Sequence, residues 1–461
     1  MLLFALAAGG FLRFSNLGAL EMSPDEGASW GAASAPTVAE VIVRQARLNP
    51  GKLPIHDLML HGWIALFGES LPAMRALSAL LGTISVLLVY LVTRELLEYS
   101  ADEKRIFSPD EAAFVAASAA ALFAVSIVTI KYTREARMYA VMLAAALAQV
   151  AMLLRALRRG GSANYFAVAI LTAVAVGSNF SAVLIPMAEG MWLIYAVARQ
   201  RWRVGDADAR RPWLAGMALA AGAVALAPKL FSSFGATTAG TAGGIIRWIK
   251  PPPLYAPFAL FNKAIGSFAF PVLAALAIWG VIRGWRRGAH DAVKFAMLWM
   301  WAPPIIMMLA SYALTPIFVE RYALSCFVPF FILAALGIFE LPTDFARIGA
   351  LAIAISLSAG HIVSYDRKPH DAEWREAAAR ADAGLKPGEV VGVVPAYAVE
   401  VVRFYLPVEH RDRAERHEAG GQPATVLIVG DQHLSPAAVE KYQSEYPQVV
   451  AKLRGVTVRR K

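Results

Sequence analysis

Long apolar stretches alternate with short polar ones through most of the chain. Runs near Leu2–Leu20, Pro72–Leu97, Ala112–Ile130, Ala136–Leu157, Tyr165–Val176 and Ser181–Ala198 carry few charges, as do Pro212–Phe231, Pro257–Ile282, Phe295–Leu314, Tyr322–Phe339 and Ile348–Ile362. A helix needs about 20 apolar residues to cross about 30 Å of hydrocarbon, so the pattern predicts about eleven transmembrane helices. The first run lacks a basic leader and an A-x-A site, and reads as an anchor rather than a signal peptide. After Val363 the pattern changes. WREAAARADAGL reads as an amphipathic helix, EVVGVVPAY as a buried strand and VEVVRFYL as a helix. TVLIVGD is a strand, SPAAVEKYQSEY a helix starting at Ser435, and VTVRR a last strand. The expected fold is an all-α polytopic membrane domain over 1–363, followed by a small α/β domain over 364–461.

Composition supports this division. Of 461 residues, 58% are hydrophobic and 17% charged, against about 45–50% and about 25% in soluble domains. That excludes a disordered chain and a simple soluble enzyme. The single cysteine, Cys326, excludes a disulfide framework and a cysteine metal cluster; in its apolar run it reads as a small buried hydrophobe. With the N-terminus in the cytoplasm, Lys104, Arg105, Arg158, Arg159, Arg199, Arg201, Arg203, Arg210, Arg211, Arg283, Arg286 and Arg287 fall in internal loops, as the positive-inside tendency requires. An odd number of spans then places the tail outside the cell membrane.

The outer segments carry the candidate chemistry. Asp25 and Glu26 follow the first span, where two adjacent carboxylates need water, a cation or a substrate to compensate them; capping this region in water is the plainer alternative. APTVAEVIVRQARL has helical spacing, with Val38, Val41, Ile42 and Ala46 on one side, and suits a helix lying in the interface. KYTREARMYA crowds Lys131, Arg134, Glu135 and Arg137 between Tyr132 and Tyr139. Cations on that side go against the charge rule, so an anion is expected to reward them, either a phosphate or lipid headgroups. TPIFVERYALS adds Glu320, Arg321 and Tyr322. GGIIRWIKPPPLY adds Arg247, Trp248, Lys250 and Tyr255, as a lid or as an aromatic belt. Asp206 and Asp208 form D-x-D in a cytoplasmic loop and read as a solvated turn. The Asn179 sequon sits at a span boundary, where modification is implausible.

Four of these segments, in this order, resemble the GT-C superfamily of polyprenol-phosphate-sugar glycosyltransferases. The likeness is to the protein-mannosyltransferase-like and RgtA/B/C/D-like group, related to the lipid A aminoarabinose transferase. The segments are FLRFSNLGALEMSPDEGAS, KLPIHDLMLHGWIALFGESLPAMRALSALLG, YTREARMYA and ERYALSCFVPFFILAALG. The resemblance implies inverting transfer of a sugar from a polyprenyl-phosphate donor to a lipid, glycan or protein acceptor hydroxyl, on the outer face of the cell membrane among membrane lipids. It implies Asp25 as the catalytic base with Glu26 as its companion. A leaving phosphate calls for fixed cations, for which Arg137, Arg321, Lys131, Arg134 and Lys52 are the candidates; Arg137 and Arg321 are expected to sit together near Asp25. His56, Asp57, His61, Glu135, Tyr139 and Tyr322 are candidate sugar or acceptor contacts. His56 and Asp57 stand where the family often has aromatics. Asp57 and His61 share a helical face, so a divalent cation held with Asp25 is a further expectation; no other cofactor and no nucleic-acid partner is expected. A lipid-carrier transporter or flippase, with the same charges lining a pathway, and a non-catalytic carrier-binding member are the alternatives.

Overall fold

A computed structural model describes residues 1–99, 106–199, 210–224, 249–366, 373–417, 424–430 and 434–461. Lys104, Arg105, Arg201, Arg203, Asp206, Asp208, Arg247 and Trp248 lie outside the described residues. The chain divides into two compact units. One comprises Met1–Ser15, Pro50–His56 and Arg75–Asp366; the other comprises Asn16–Asn49, Asp57–Met74 and Arg367–Lys461. The tail expected as a separate domain thus shares its unit with two segments from the early chain.

The helices in chain order begin with α1 (Leu2–Phe14), α2 (Pro24–Ala33), α3 (Val38–Leu48), α4 (Ile55–Phe67) and α5 (Leu71–Glu98). Next come α6 (Pro109–Ala124), α7 (Ile127–Arg134), α8 (Tyr139–Arg159), α9 (Ser162–Ser178), α10 (Leu184–Arg199) and α11 (Arg211–Val224). Then follow α12 (Ala256–Ile265), α13 (Ala269–Arg287), α14 (His290–Ala313), α15 (Phe327–Phe339) and α16 (Asp344–Asp366). Among the described residues seven helices are long and apolar enough to cross a membrane, and α6 with α7, bent by 61°, makes an eighth. Helices α1 and α9 are apolar but shorter.

Three segments come out differently from expectation. The run Ala112–Ile130 is broken after Ala124. The run Pro257–Ile282 is two helices, because Gly266 takes φ +99° and ends α12, a conformation that suits glycine. The segment after Ser23, for which the pattern predicts no element, is helix α2. Helix α3 forms as expected but buries Val41 and Gln45, leaving Val38 and Ile42 exposed. In the membrane unit α13 and α15 approach through Gly280 and Gly337, where an added Cβ would fall 2.0 and 1.9 Å from backbone oxygens. Cys326 is buried at the head of α15.

In the tail, α17 (Trp374–Ala383), α18 (Val399–Tyr405) and α19 (Pro436–Glu445) accompany strands β1 (Val391–Val394), β2 (Ala414–Arg416), β3 (Val426–Val429), β4 (Gln448–Leu453) and β5 (Val456–Arg460). The sheet order is β2-β1-β3-β5-β4. The pairs β1–β2 and β1–β3 are parallel, while β3–β5 and β4–β5 are antiparallel. Strands β1 and β3 are buried along their whole length, the pattern of strands covered on both faces. The edges are blunted by the three-residue β2 and by a bulge in β4.

Candidate functional site

The break between α6 and α7 organises the membrane unit's cationic segment. A broken span frees carbonyls that lipid cannot satisfy, so partners must come from the protein. Arg13, fully buried on α1, supplies them: its guanidinium donates to the carbonyls of Gly9 (3.1 Å) and Ala124 (3.0 Å) and to Thr129 Oγ1 (3.1 Å). Thr129 Oγ1 in turn lies 2.9 Å from the carbonyls of Phe123 and Ser126. Gly82 completes the joint, since a Cβ there would sit 2.5 Å from Thr133 Cβ and 2.9 Å from Arg13 Cδ. With its start pinned, α7 carries Lys131 and Tyr132 at a set angle to α6.

Lys131 and Tyr132 open onto a cavity of about 720 Å³ whose other charged lining residues are Lys250, Lys263, Glu320 and Arg321. Tyr255, Asn262, apolar residues of α12 and the segments around Pro253 and Phe318 complete the wall. The Lys131 ammonium lies 4.8 Å from the centre of the Tyr132 ring, and Lys263 Nζ lies 3.9 Å from Glu320. Among the described residues the lining carries four cations and one carboxylate, a balance that suits an anion. Lysine point charges and one arginine fork can both serve phosphate oxygens.

The other unit holds the Asp25 turn. Ser23 caps α2, and Pro24 fits the first helical position, where a missing N–H costs nothing. The Glu26 N–H donates to Ser23 Oγ (3.2 Å), while the Ser23 N–H donates to Glu26 Oε2 (3.0 Å). This capping box uses the Glu26 carboxylate, which is 1% exposed. Asp25, one residue earlier, is exposed. Helix α18 lies against α2: a Cβ at Gly27 would meet Val401 N at 2.9 Å, and one at Gly31 would meet Glu400 Oε2 at 2.6 Å. Glu400 is held by Arg403 at 3.0 Å. The Met22 N–H donates to the Tyr405 hydroxyl (2.7 Å), and Trp30 packs edge-on to Phe404. Just before α18, Tyr397 is 50% exposed. Burial and then the charge of Asp25 push its phenol up to about 12.

Residues 50–230 match the family model for dolichyl-phosphate-mannose-protein mannosyltransferase. ArnT from Cupriavidus metallidurans in the apo state superposes with a TM-score of 0.66 at 14% identity, covering 99% of this chain and 97% of that one. The same protein bound to undecaprenyl phosphate gives 0.64 at 14% identity, with 99% and 97% covered. This chain has the fold of ArnT, the GT-C fold. The oligosaccharyltransferase AglB from Archaeoglobus fulgidus, in complex with an inhibitory peptide and a dolichol-phosphate, agrees with a TM-score of 0.60 at 10% identity over 94% of this chain and 69% of its own. No curated protein matches the sequence.

Of the expected residues, the structure brings some to one cavity and leaves others outside its lining. Lys131 and Arg321 line one cavity, whereas its lining does not include Arg134, Arg137 or Lys52. The Arg134 guanidinium donates to the Ser15 carbonyl at 2.6 Å. Arg137 is buried beside the Tyr139 ring, and its N–H donates to the Glu135 carbonyl at 2.7 Å. Tyr139 packs edge-on to Tyr132, and Tyr322 edge-on to Phe180. Lys52, His56 and Asp57 are buried, and the neighbouring Leu53 N–H is fixed on the Gly177 carbonyl at 2.8 Å. His61 Nδ1 lies 2.8 Å from the Ala33 carbonyl, so that nitrogen carries the proton. Among the described residues no three His, Cys, Asp or Glu side chains gather as a metal site.

Lys263 and Tyr397 are among the residues at these sites that sequence reasoning did not single out. Lys263 was hidden inside an apparent span, although a lysine in a last turn followed by Gly266 is a helix stop. Tyr397 carried no signal, because its importance comes from a segment far away in sequence.

Proposed function

We propose that this protein is a membrane glycosyltransferase that moves a sugar from a polyprenyl-phosphate carrier to an acceptor hydroxyl, with inversion, on the outer face of the cell membrane. The observation that carries the reading is the convergence of Lys131, Lys250, Lys263 and Arg321 on one cavity beside the broken span of a GT-C fold. The presence of undecaprenyl phosphate on ArnT and of a dolichol-phosphate on AglB supports a polyprenyl phosphate as the anion. As the anomeric carbon–oxygen bond breaks, negative charge grows on the phosphate, and cations fixed in advance lower that barrier. Asp25 takes the acceptor proton, since it is exposed while Glu26 is committed to the cap. In this reading the N-terminus is cytoplasmic and the tail outside.

A broken helix is also a device of transporters, where freed carbonyls bind an ion. Here the carbonyls of Phe123, Ala124 and Ser126 face Arg13 and Thr129 instead, which favours a fixed joint over an ion site. The deciding experiment supplies polyprenyl-phosphate-linked labelled sugar to the protein in native membranes. Label leaving the carrier, and lost with Asp25→Asn, supports transfer. Label crossing the bilayer still attached to its carrier would make the protein a flippase. Cysteines placed at Ser435 and Arg286 and probed in spheroplasts with an impermeant thiol reagent test orientation: the first should label and the second should not.

A further inference from the structure

The charge count of the cavity bears on what happens after transfer. We propose that the cavity holds the spent carrier, a polyprenyl phosphate monoester, more tightly than the sugar-loaded donor, so that the protein is inhibited by its own product and increasingly so as pH rises. This rests on the reading of the cavity as the donor-phosphate site.

The donor is a phosphodiester, with one negative charge and two terminal oxygens. Transfer breaks the bond between the anomeric carbon and the phosphate oxygen. The electron pair stays on that oxygen, the acceptor oxygen bonds to the sugar, and the acceptor's proton leaves to Asp25. The carrier is left as a monoester with three terminal oxygens and, above its second ionisation near pH ~6, two negative charges. Among the described residues, the cavity lining offers Lys131, Lys250, Lys263 and Arg321 against the carboxylate Glu320, a formal excess of three positive charges. Asn262 and Tyr255 add neutral donors. A diester cannot use four cationic donors, whereas a dianion with a third oxygen uses more of them. Charge developing on the phosphate is what the cavity must stabilise to speed the reaction, and that charge is fully developed in the product. Complementarity to the transition state therefore brings affinity for the spent carrier with it.

Linkage makes this measurable without turnover. A site that binds the dianion about tenfold more tightly than the monoanion lowers the bound phosphate's second pKa by about one unit. The probes are undecaprenyl phosphate, its methyl phosphodiester on the same chain, and inorganic phosphate, each offered to the full-length protein in phosphatidylcholine nanodiscs. The monoester should bind about tenfold more tightly than the methyl diester at pH 8 and about equally at pH 5, with its bound ³¹P titration shifted down to match. Free phosphate should compete only weakly, which separates recognition of a lipid-borne phosphate from recognition of any phosphate. Lys250→Gln and Lys263→Gln should each shrink the preference at pH 8; Lys250 is exposed and the Lys263 side chain is 79% exposed, so neither change threatens folding. Equal binding of monoester and diester at pH 8, with both displaced by Arg321→Gln, would overturn the preference and leave the donor site standing. Binding of neither lipid would overturn the donor site itself.

Discussion

The tetrapeptide Ser-Pro-Asp-Glu occurs twice, at 23–26 and at 108–111, and builds the same local structure both times. In each, serine caps a helix, proline takes the first turn and the glutamate closes a capping box. The Ser108 N–H donates to Glu111 Oε2 at 2.8 Å and the Glu111 N–H to Ser108 Oγ at 3.2 Å, close to the values at Ser23. The surroundings differ. Glu26 is 1% exposed and Gly27 and Gly31 let α18 approach; Glu111 keeps a 30% exposed side chain paired with Arg287, which also reaches Glu340 at 3.1 Å. The places of Gly27 and Gly31 are taken by Ala112 and Ala116. Local sequence thus sets where a helix starts, and tertiary partners set the surroundings of the exposed aspartate at its second residue.

The largest expected difference between the copies is catalytic. Asp25→Asn should cut sugar transfer by about 10²–10⁴-fold, the usual contribution of a general base, while Asp110→Asn leaves it within about twofold. Glu26→Gln keeps the capping box and should retain most activity. Equal losses from Asp25→Asn and Asp110→Asn, measured as label transferred in membranes with expression matched, would mean that both aspartates serve only their helices.

Next in size are the glycines. Alanine is the better helix former by about 1 kcal/mol, so Gly27→Ala would help an isolated helix. Its Cβ would stand 2.7 Å from Val401 Cγ2 and 2.9 Å from Val401 N, and overpacking of this kind costs about 1–3 kcal/mol. The clash should win, with a lower midpoint of thermal unfolding in detergent. Ala112→Gly should also lower it, for the opposite reason of a lost buried methyl and a poorer helix. A rise in midpoint for Gly27→Ala would show that α18 does not press on this face. A smaller and equal effect should come from the caps: Ser23→Ala and Ser108→Ala should each cost about 1 kcal/mol, and a large gap between them would mean that one serine has a second role.

How legible was all this beforehand? Helices α5, α8, α10, α14 and α15 follow apolar runs that composition alone marks out, and their positions agree closely with the expected spans. The break after Ala124 was not legible. The alanine-rich run continues smoothly across it, and the residue that stabilises it, Arg13, is more than a hundred positions away. Helix α2 was legible in principle, since Ser23-Pro24-Asp25-Glu26 is a capping box with proline at its start; the glycines after it masked the helical pattern. The β4–β5 hairpin was half legible: VTVRR was recognised, but QVVAKL before Arg454-Gly455 was not, though Gly455 at φ +66° marks the turn. At the site, residue types singled out Lys131 and Arg321, which line one cavity, and also Arg137, expected beside Arg321, which is not in that lining. That the Arg134 guanidinium meets the Ser15 carbonyl depends on backbone geometry that no spacing rule encodes.

The smallest expected effect is also the most local test of the contrast between the copies. Tyr397 reports on Asp25 because its phenol feels that charge: burial raises its pKa first, and the carboxylate of Asp25 adds to the rise, giving about 12. Ionising the phenol would create a second negative charge beside the first, so removing the first makes ionisation easier. Asp25→Asn should therefore lower the Tyr397 pKa from about 12, while burial keeps it above the ordinary value near 10. Asp110→Asn should leave it unchanged. The measurement is the ¹³Cζ shift of ring-labelled tyrosine followed from pH 8 upward, with the Tyr397 signal assigned by its loss in Tyr397→Phe. An earlier onset in Asp25→Asn and none in Asp110→Asn would place the charge of Asp25, and not merely its helix, at the hydroxyl of Tyr397. An unchanged onset in both would mean that burial alone raises this phenol, and that the tail contributes packing to the Asp25 turn but no polar group to its chemistry.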